Sequence, residues 1–397
     1  MLTPRPFIVA LLLTGVYAGP VSAQTLLASA ATRADTTQAR SDSLPPATDK
    51  AKDAETLFGL KVSGYVESAF NVSSRPNGSA ITGRLYERTN NQFSLNALKL
   101  TMDRAYDPKK MDAGLHADVI FGQNAQMLQS AGFNLGPNGD VYQLFGTLNV
   151  PTPNGNGVQV RVGRMATFMG LELIETPLNP NLSVGNAFVY AENFTQTGVS
   201  VEHRFNRVVD MQVRVLNGWD QVQDLNDRLS YMARLGLTPD AATSISFVGY
   251  VGPEEESNNR ALRSGAEVIV SRKVGKVTAT VQGDVGREQR NDALVDPTRD
   301  AAWWAASGWL VFDATSNVGV ALRADYLNDR NAARTGAAFG LDGAQLHKLG
   351  SATATLNVKS FPSVLLRPEV RFDRSNQLVF GSRNGQFTFG LSAAYLF

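Results

Sequence analysis

The chain has 397 residues, 18% of them charged and 43% apolar, with a formal net charge of +1. That balance excludes a nucleic-acid binder working through a basic face, and the lack of any cysteine excludes disulfide staples, thiolate metal sites and a cysteine nucleophile. A thiol-free chain also suits passage through an oxidising periplasm.

In chain order, residues 1–23 read as a cleavable secretory signal. Arg5 supplies the positive start, Phe7 to Val16 the apolar run, and Val21-Ser22-Ala23 a small-residue cleavage site that leaves Gln24 as the mature start. The run is short for a membrane-spanning helix, and no later stretch approaches the about 18 apolar residues that such a helix needs. Residues 24–58 are rich in Ala, Thr, Ser, Asp and Lys, with Pro45-Pro46 among them. They predict a flexible periplasmic leader without a core, with a short helix over 50–57.

From 59 to 397 the pattern is alternation of period two. At the end of the chain Phe387, Phe389, Leu391, Ala393, Tyr395 and Phe397 share one face, and Thr388, Gly390, Ser392, Ala394 and Leu396 the other. Successive side chains of a strand point to opposite faces, so one face is apolar and the other small and mostly polar. The same reading recurs upstream, with Met211, Val213 and Val215 against Asp210, Gln212 and Arg214, and with Val370 and Phe372 against Glu369, Arg371 and Asp373. About sixteen strands follow, over 60–71, 93–103, 112–123, 141–150, 157–165, 196–206, 209–219, 228–237, 243–252, 261–273, 276–287, 301–313, 316–328, 345–359, 363–374 and 386–397.

The connections alternate in length. Short ones lie near Asn206-Arg207, Pro239-Asp240, Val274-Gly275, Ala314-Thr315 and Ser360-Phe361, and long polar ones at 72–92, 124–140, 166–195, 220–227, 253–260, 288–300, 329–344 and 375–385. Short turns on one side and long loops on the other predict an all-β transmembrane antiparallel barrel with periplasmic turns and extracellular loops. Lipid offers backbone groups no hydrogen-bond partner, so such a sheet must close. At about sixteen strands the interior is wide enough for an aqueous channel. Trp219, Trp309, Tyr326 and Tyr395 are candidates for the interfacial aromatic girdles.

Ala117–Gln123 (ADVIFGQ), Gln143–Glu172 (QLFGTLNVPTPNGNGVQVRVGRMATFMGLE) and Asn193–Val199 (NFTQTGV) resemble the β-barrel porin-2, OmpL-like family. The shared order is a strand ending in Phe-Gly, a strand running into Val-Pro, a Gly/Asn turn, then Val-Gly-Arg and Gly-x-Glu. The resemblance implies an outer-membrane channel spanning 59–397. Phe397, with Tyr395, resembles the C-terminal signal that the barrel-assembly machinery reads. The Val-Gly-Arg…Gly-x-Glu stretch is also similar to phosphate-selective porins, which implies anion preference, although no lysine cluster supports it.

By alternation Arg161, Arg204, Arg214, Arg263, Arg323, Arg367 and Arg371 point inward, as do Glu67, Asp118, Glu202, Glu267, Asp284, Asp325, Glu369 and Asp373. Rings of charge set pore selectivity; the alternative is cross-strand pairing that merely solvates the wall. The mixture of signs predicts weak ion selectivity. The loop 166–195 is long for a structureless connection and is expected to fold into the barrel, bringing Glu172, Glu175 and Glu192 to face inward arginines across a constriction. An external cap on the neighbouring loops is the alternative. Glu254-Glu255-Glu256 reads as a solvated run, with a site for a cation or for lipopolysaccharide-bridging divalent ions as the alternative, and Gly132–Gly139 as a loop without phosphate-binding spacing.

His116, His203 and His347 stand isolated in the sequence, short of the three or four converging ligands of a zinc site. A hydrolytic barrel would need a Ser–His pair oriented by a third group; His203 or His116 could meet a serine across strands, against the reading of both as wall residues. The expected function is a passive porin, not an enzyme, with no cofactor, no metal and no nucleic-acid partner. Its partners would be outer-membrane lipid, small hydrophilic solutes and, by analogy with other sixteen-stranded porins, two further copies in a homotrimer. The alternatives are a plugged structural or binding barrel acting through its loops, and a soluble β-sandwich.

Overall fold

The computed structural model describes residues 60–128, 136–290 and 298–397. The expected signal peptide, leader and short helix lie outside the described residues, as does part of the Gly132–Gly139 loop. The strands are β1 (Lys61–Ser73), β2 (Gln92–Arg104), β3 (Asp112–Phe121), β4 (Gly139–Val150), β5 (Val158–Ala166), β6 (Thr195–Arg204), β7 (Val209–Leu216) and β8 (Ser230–Asp240). They continue as β9 (Thr243–Pro253), β10 (Leu262–Val274), β11 (Val277–Glu288), β12 (Ala301–Asp313), β13 (Val318–Asp329), β14 (His347–Phe361), β15 (Val364–Ser375) and β16 (Gly385–Leu396). Each predicted strand is present, with ends displaced by a few residues.

Every strand pairs antiparallel with its sequence neighbours, and β1 pairs with β16 to close the barrel. At the seam Val66 lies opposite Tyr395 and Phe70 opposite Leu391. Closure leaves no sheet edge, the condition for a sheet to cross hydrocarbon. Phe397 completes the seam beyond the last strand, exchanging backbone hydrogen bonds of 2.9 and 3.0 Å with Gly64.

Alternation sorts the two faces. On β12, Trp304, Leu310 and Phe312 face outward and exposed, while Trp303, Ser307 and Trp309 are buried on the inner face. Outward apolar side chains continue around the wall, among them Val213, Phe247, Val281, Leu322 and Phe389. This is the lipid-facing band expected of a membrane barrel.

Two of the four girdle candidates are corrected. Tyr326 and Tyr395 are exposed on the outer face. Trp309 instead has the parity of Ser307 and points inward. Trp219 lies in the β7–β8 loop, its ring edge-on to Tyr250 at 4.9 Å.

Bulges reset the parity at several places. In β2 the pairing steps from Glu67↔Ala97 to Ser68↔Leu95, so Ser94 and Asn96 face inward on one side of the step and Lys99 and Thr101 on the other. A second step lies between Asp118↔Gln143 and Val119↔Val141, and it leaves Tyr142 and Gln143 both buried. In β5, Gly163 takes φ +137°, where an added Cβ would sit 2.2 Å from the Leu144 carbonyl oxygen. Arg161 and Arg164 on either side of it are both buried inward.

Candidate functional site

The loop between β5 and β6 enters the lumen. Nearly all of its residues from Thr167 to Asn193 are buried, and wall side chains hold it by its own backbone. Arg367 of β15 donates to the carbonyls of Thr176 (2.6 Å) and Asn179 (2.9 Å). Arg371 donates to Val184 O at 2.6 Å. Glu369 accepts from the amides of Leu182 (2.7 Å) and Ser183 (3.1 Å). Asp325 of β13 accepts from Asn186 N at 3.1 Å, at the head of a short helix over Asn186–Tyr190. A loop with little regular structure leaves many backbone groups unsatisfied, and buried ones must find partners. The inward arginines and acids supply them.

The loop acids meet the wall as follows. Glu172 accepts from Arg323 at 2.6 Å and from Gly185 N at 2.6 Å. Glu175 meets Lys99 (3.1 Å) and the Tyr142 hydroxyl (2.7 Å) rather than an arginine. Glu192 accepts from Gln282 at 2.6 Å, beside Glu267 and Asp284. Glu172 thus meets an arginine as expected, whereas Glu175 meets a lysine. The parity step in β2 brings a lysine to Glu175, and the β10–β11 wall facing Glu192 carries acids.

The remaining wall candidates divide in two. Glu67 accepts from the Thr176 hydroxyl, which ties β1 to the loop. Arg214 donates to the carbonyl of Ala166 (2.7 Å) and to Gln196 (2.6 Å), and stacks on Phe168 at 4.6 Å. Others pair within the wall, as the alternative reading has it: Arg161 with Glu202 at 2.8 Å, and Arg263 with Glu288 at 2.7 Å. Asp373 takes Arg371 at 2.8 Å and Arg84, from the β1–β2 loop, at 2.7 Å. Arg204 sits half-buried at the short-turn rim, its carbonyl accepting from Asn156 at 2.8 Å.

The sequence reading missed Lys99, Arg84, the Arg164–Asp140 pair (2.8 Å) and the Arg234–Asp210 pair (2.5 Å). Strict alternation recovers Asp210 and Arg234 from their strands. The others depend on bulges or on a loop.

His116 is not isolated. Antiparallel pairing sets Asp103 opposite it, and Asp118 lies two residues on along the same face. Nδ1 is 2.6 Å from Asp103 and Nε2 3.1 Å from Asp118. The histidine that meets a serine is His347, 2.9 Å from the Ser375 hydroxyl, with Thr335 on its other nitrogen at 2.8 Å. Both His347 and Ser375 are buried. Glu254 and Glu255 are drawn inward rather than solvated, Glu254 accepting from Trp219 N (2.6 Å) and the Ser230 hydroxyl (2.7 Å).

The family model "Putative beta-barrel porin-2, OmpL-like" matches residues 59–397. The chain belongs to this porin family. Its fold is shared with solved outer-membrane proteins at low identity. An anion-selective porin from Comamonas acidovorans aligns with TM-score 0.57 and 9% identity, over 85% of this chain and 99% of that one. The outer membrane channel DcaP of Acinetobacter baumannii gives 0.55 and 12%, over 85% and 97%. A trimer form of OmpT from Vibrio cholerae gives 0.54 and 11%, over 85% and 99%. No curated protein matches the chain. The family and the closed sixteen-strand barrel make this an outer-membrane porin.

Proposed function

We propose that the protein is a passive, water-filled channel for small polar or ionic solutes in the outer membrane of a Gram-negative-type bacterium. One observation carries the reading: a membrane barrel whose inner face is charged and polar, with one long loop drawn across it by wall residues. A polar lumen is what diffusion of hydrophilic solutes needs. The loop is the constriction, and Glu172, Glu175 and Glu192 with Arg323, Arg367 and Arg371, all buried between loop and wall, hold it in place.

Export would use the signal at 1–23, leaving a periplasmic leader over 24–58. Phe397, hydrogen-bonded to Gly64 at the seam, would be read with Tyr395 by the assembly machinery. The trimer form of the Vibrio cholerae protein supports a homotrimer here.

A second reading, a plugged barrel that acts through its external loops, is favoured by how firmly the loop is held, on β2 through Lys99 and on β13 through Arg323. Swelling of protein-loaded liposomes in graded sugars and amino acids separates the two. Swelling that falls off with solute size supports the channel, and impermeability to all of them supports the plug.

A further inference from the structure

Most acids of the lumen have a basic partner. Asp118, Glu172, Glu202, Asp210, Asp325 and Asp373 each lie within 3.2 Å of a lysine or arginine nitrogen. Two acids midway along the β10–β11 wall, below the Arg263–Glu288 pair, depart from this. Glu267 and Asp284 sit directly opposite each other in the antiparallel register, on the inner face, both 3% exposed. Like charges placed so repel, yet neither has an ion-pair partner among the described residues. Glu192, from the lumen loop, brings a third buried carboxylate. One oxygen from each of the three lies within 4.8 Å of the others.

Protein donors satisfy one side of the cluster. The Gln282 amide donates to Glu192 (2.6 Å), Asp284 (3.1 Å) and Glu267 (3.4 Å), and Gly170 N donates to Glu267 Oε2 at 2.7 Å. A different observation points to something more. Glu267 Oε1 and Asp284 Oδ1 are buried and receive no donor from the described residues beyond the contact the two carboxylates make with each other. Burying a carboxylate oxygen without a partner is costly, and buried charges are paired or bind metal. The spacing has a natural meaning too. Oxygens on one calcium ion, at about 2.3–2.6 Å from it, are at most about 5 Å apart.

We propose that Glu192, Glu267 and Asp284 bind a hard divalent cation of calcium's size, fastening the lumen loop to the β10–β11 wall. Three carboxylates offer up to six oxygens, and lumen water completes the shell. Calcium tolerates this irregular arrangement, whereas magnesium demands a near-ideal octahedron. Gly170 keeps the approach of Glu192 open, since an added Cβ would overlap its carboxylate oxygen. The site goes beyond the channel reading and does not depend on it, because binding can be measured whether or not the barrel conducts.

The test is calorimetric titration of calcium chloride into the chelator-stripped, detergent-folded full chain, beside Glu267→Gln, Asp284→Asn and, as a control, the exposed Glu256→Gln. Wild type and the control are expected to bind one calcium, with a dissociation constant of about 10⁻⁴ to 10⁻³ M, and the two cluster variants to lose at least about tenfold in affinity. A thermal melt guards against misfolding. In chelator Glu267→Gln should melt above wild type, because a repulsion is gone, and calcium should raise the midpoints of the wild type and the Glu256→Gln control but not those of the two cluster variants. No calcium binding by the wild type would overturn the proposal. So would undiminished binding in both cluster variants, or a wild-type midpoint that ignores calcium and rises only with acid, the mark of a shared proton.

Discussion

Arg323 on the barrel wall and Glu172 on the lumen loop are joined across the interior at 2.6 Å, both fully buried. Arg323 also holds Asp325 at 3.2 Å on its own strand, and Glu172 accepts from Gly185 N. The pair is thus the centre of a network that fixes how the loop crosses the lumen. Removing one member of such a pair leaves a buried charge uncompensated, which costs about 3–5 kcal/mol.

Arg323→Ala is therefore expected to release the loop locally while leaving the sixteen-strand sheet intact. Limited proteolysis should cut within 172–190 in the variant and spare the wild type, with unchanged β-sheet circular dichroism. Glu172→Gln keeps a hydrogen-bond acceptor and should give a weaker form of the same effect.

Deleting 172–190 removes the segment held by Arg367, Arg371 and Glu369. Single-channel conductance should rise several-fold, because the lumen of a sixteen-stranded barrel is then limited by its wall. Conductance equal to the wild type's would mean that the ion path avoids this loop.

Glu87, in the β1–β2 loop, is buried, and among the described residues no other residue donates a hydrogen bond to its carboxylate. Burial, reinforced by the charges of Glu369 and Glu67, pushes its carboxyl up from 4.5 to about 8. An acid that is harder to ionise when folded stabilises the fold below its unfolded value, and that contribution is lost as pH rises through the folded value. The loop should accordingly loosen as pH rises from about 4.5 to about 8. Amide exchange across 74–91, measured through that range and corrected for intrinsic rate, should show this in the wild type and be flatter in Glu87→Gln.

Gly265 and Gly286 face each other across β10 and β11, with Tyr250 and Trp303 beside them on the outer strands of the four. The rings lie over the glycines. A Cβ on Gly265 would sit 2.4 Å from the Tyr250 hydroxyl, and one on Gly286 2.3 Å from the Trp303 ring. Gly286→Ala should cost about 1–3 kcal/mol by overpacking and displace Trp303. Urea unfolding and indole fluorescence would register the two effects.

The sheet was legible because a membrane barrel writes its two faces as strict alternation. Val213 against Arg214, or Phe372 against Arg371, gives side and strand at once. What alternation could not reach lies where the period slips. Lys99 stands beyond the bulge in β2, and its pairing with Glu175 at 3.1 Å joins residues far apart in the chain. Trp309 misled because an indole fits a girdle or an inner face equally well, and only parity counted from Leu310 decides. That the loop enters was inferable from its length and its apolar and acidic content. What each of its acids meets was not, since that depends on which strand lies across the lumen.

The central claim is that the barrel conducts, and single-channel recording of the detergent-folded protein in a planar bilayer tests it most directly. Discrete, steady openings, with a reversal potential in a salt gradient that reports the balance of lumen charge, are the predicted result. A fully folded, heat-modifiable barrel that inserts and never conducts would contradict it.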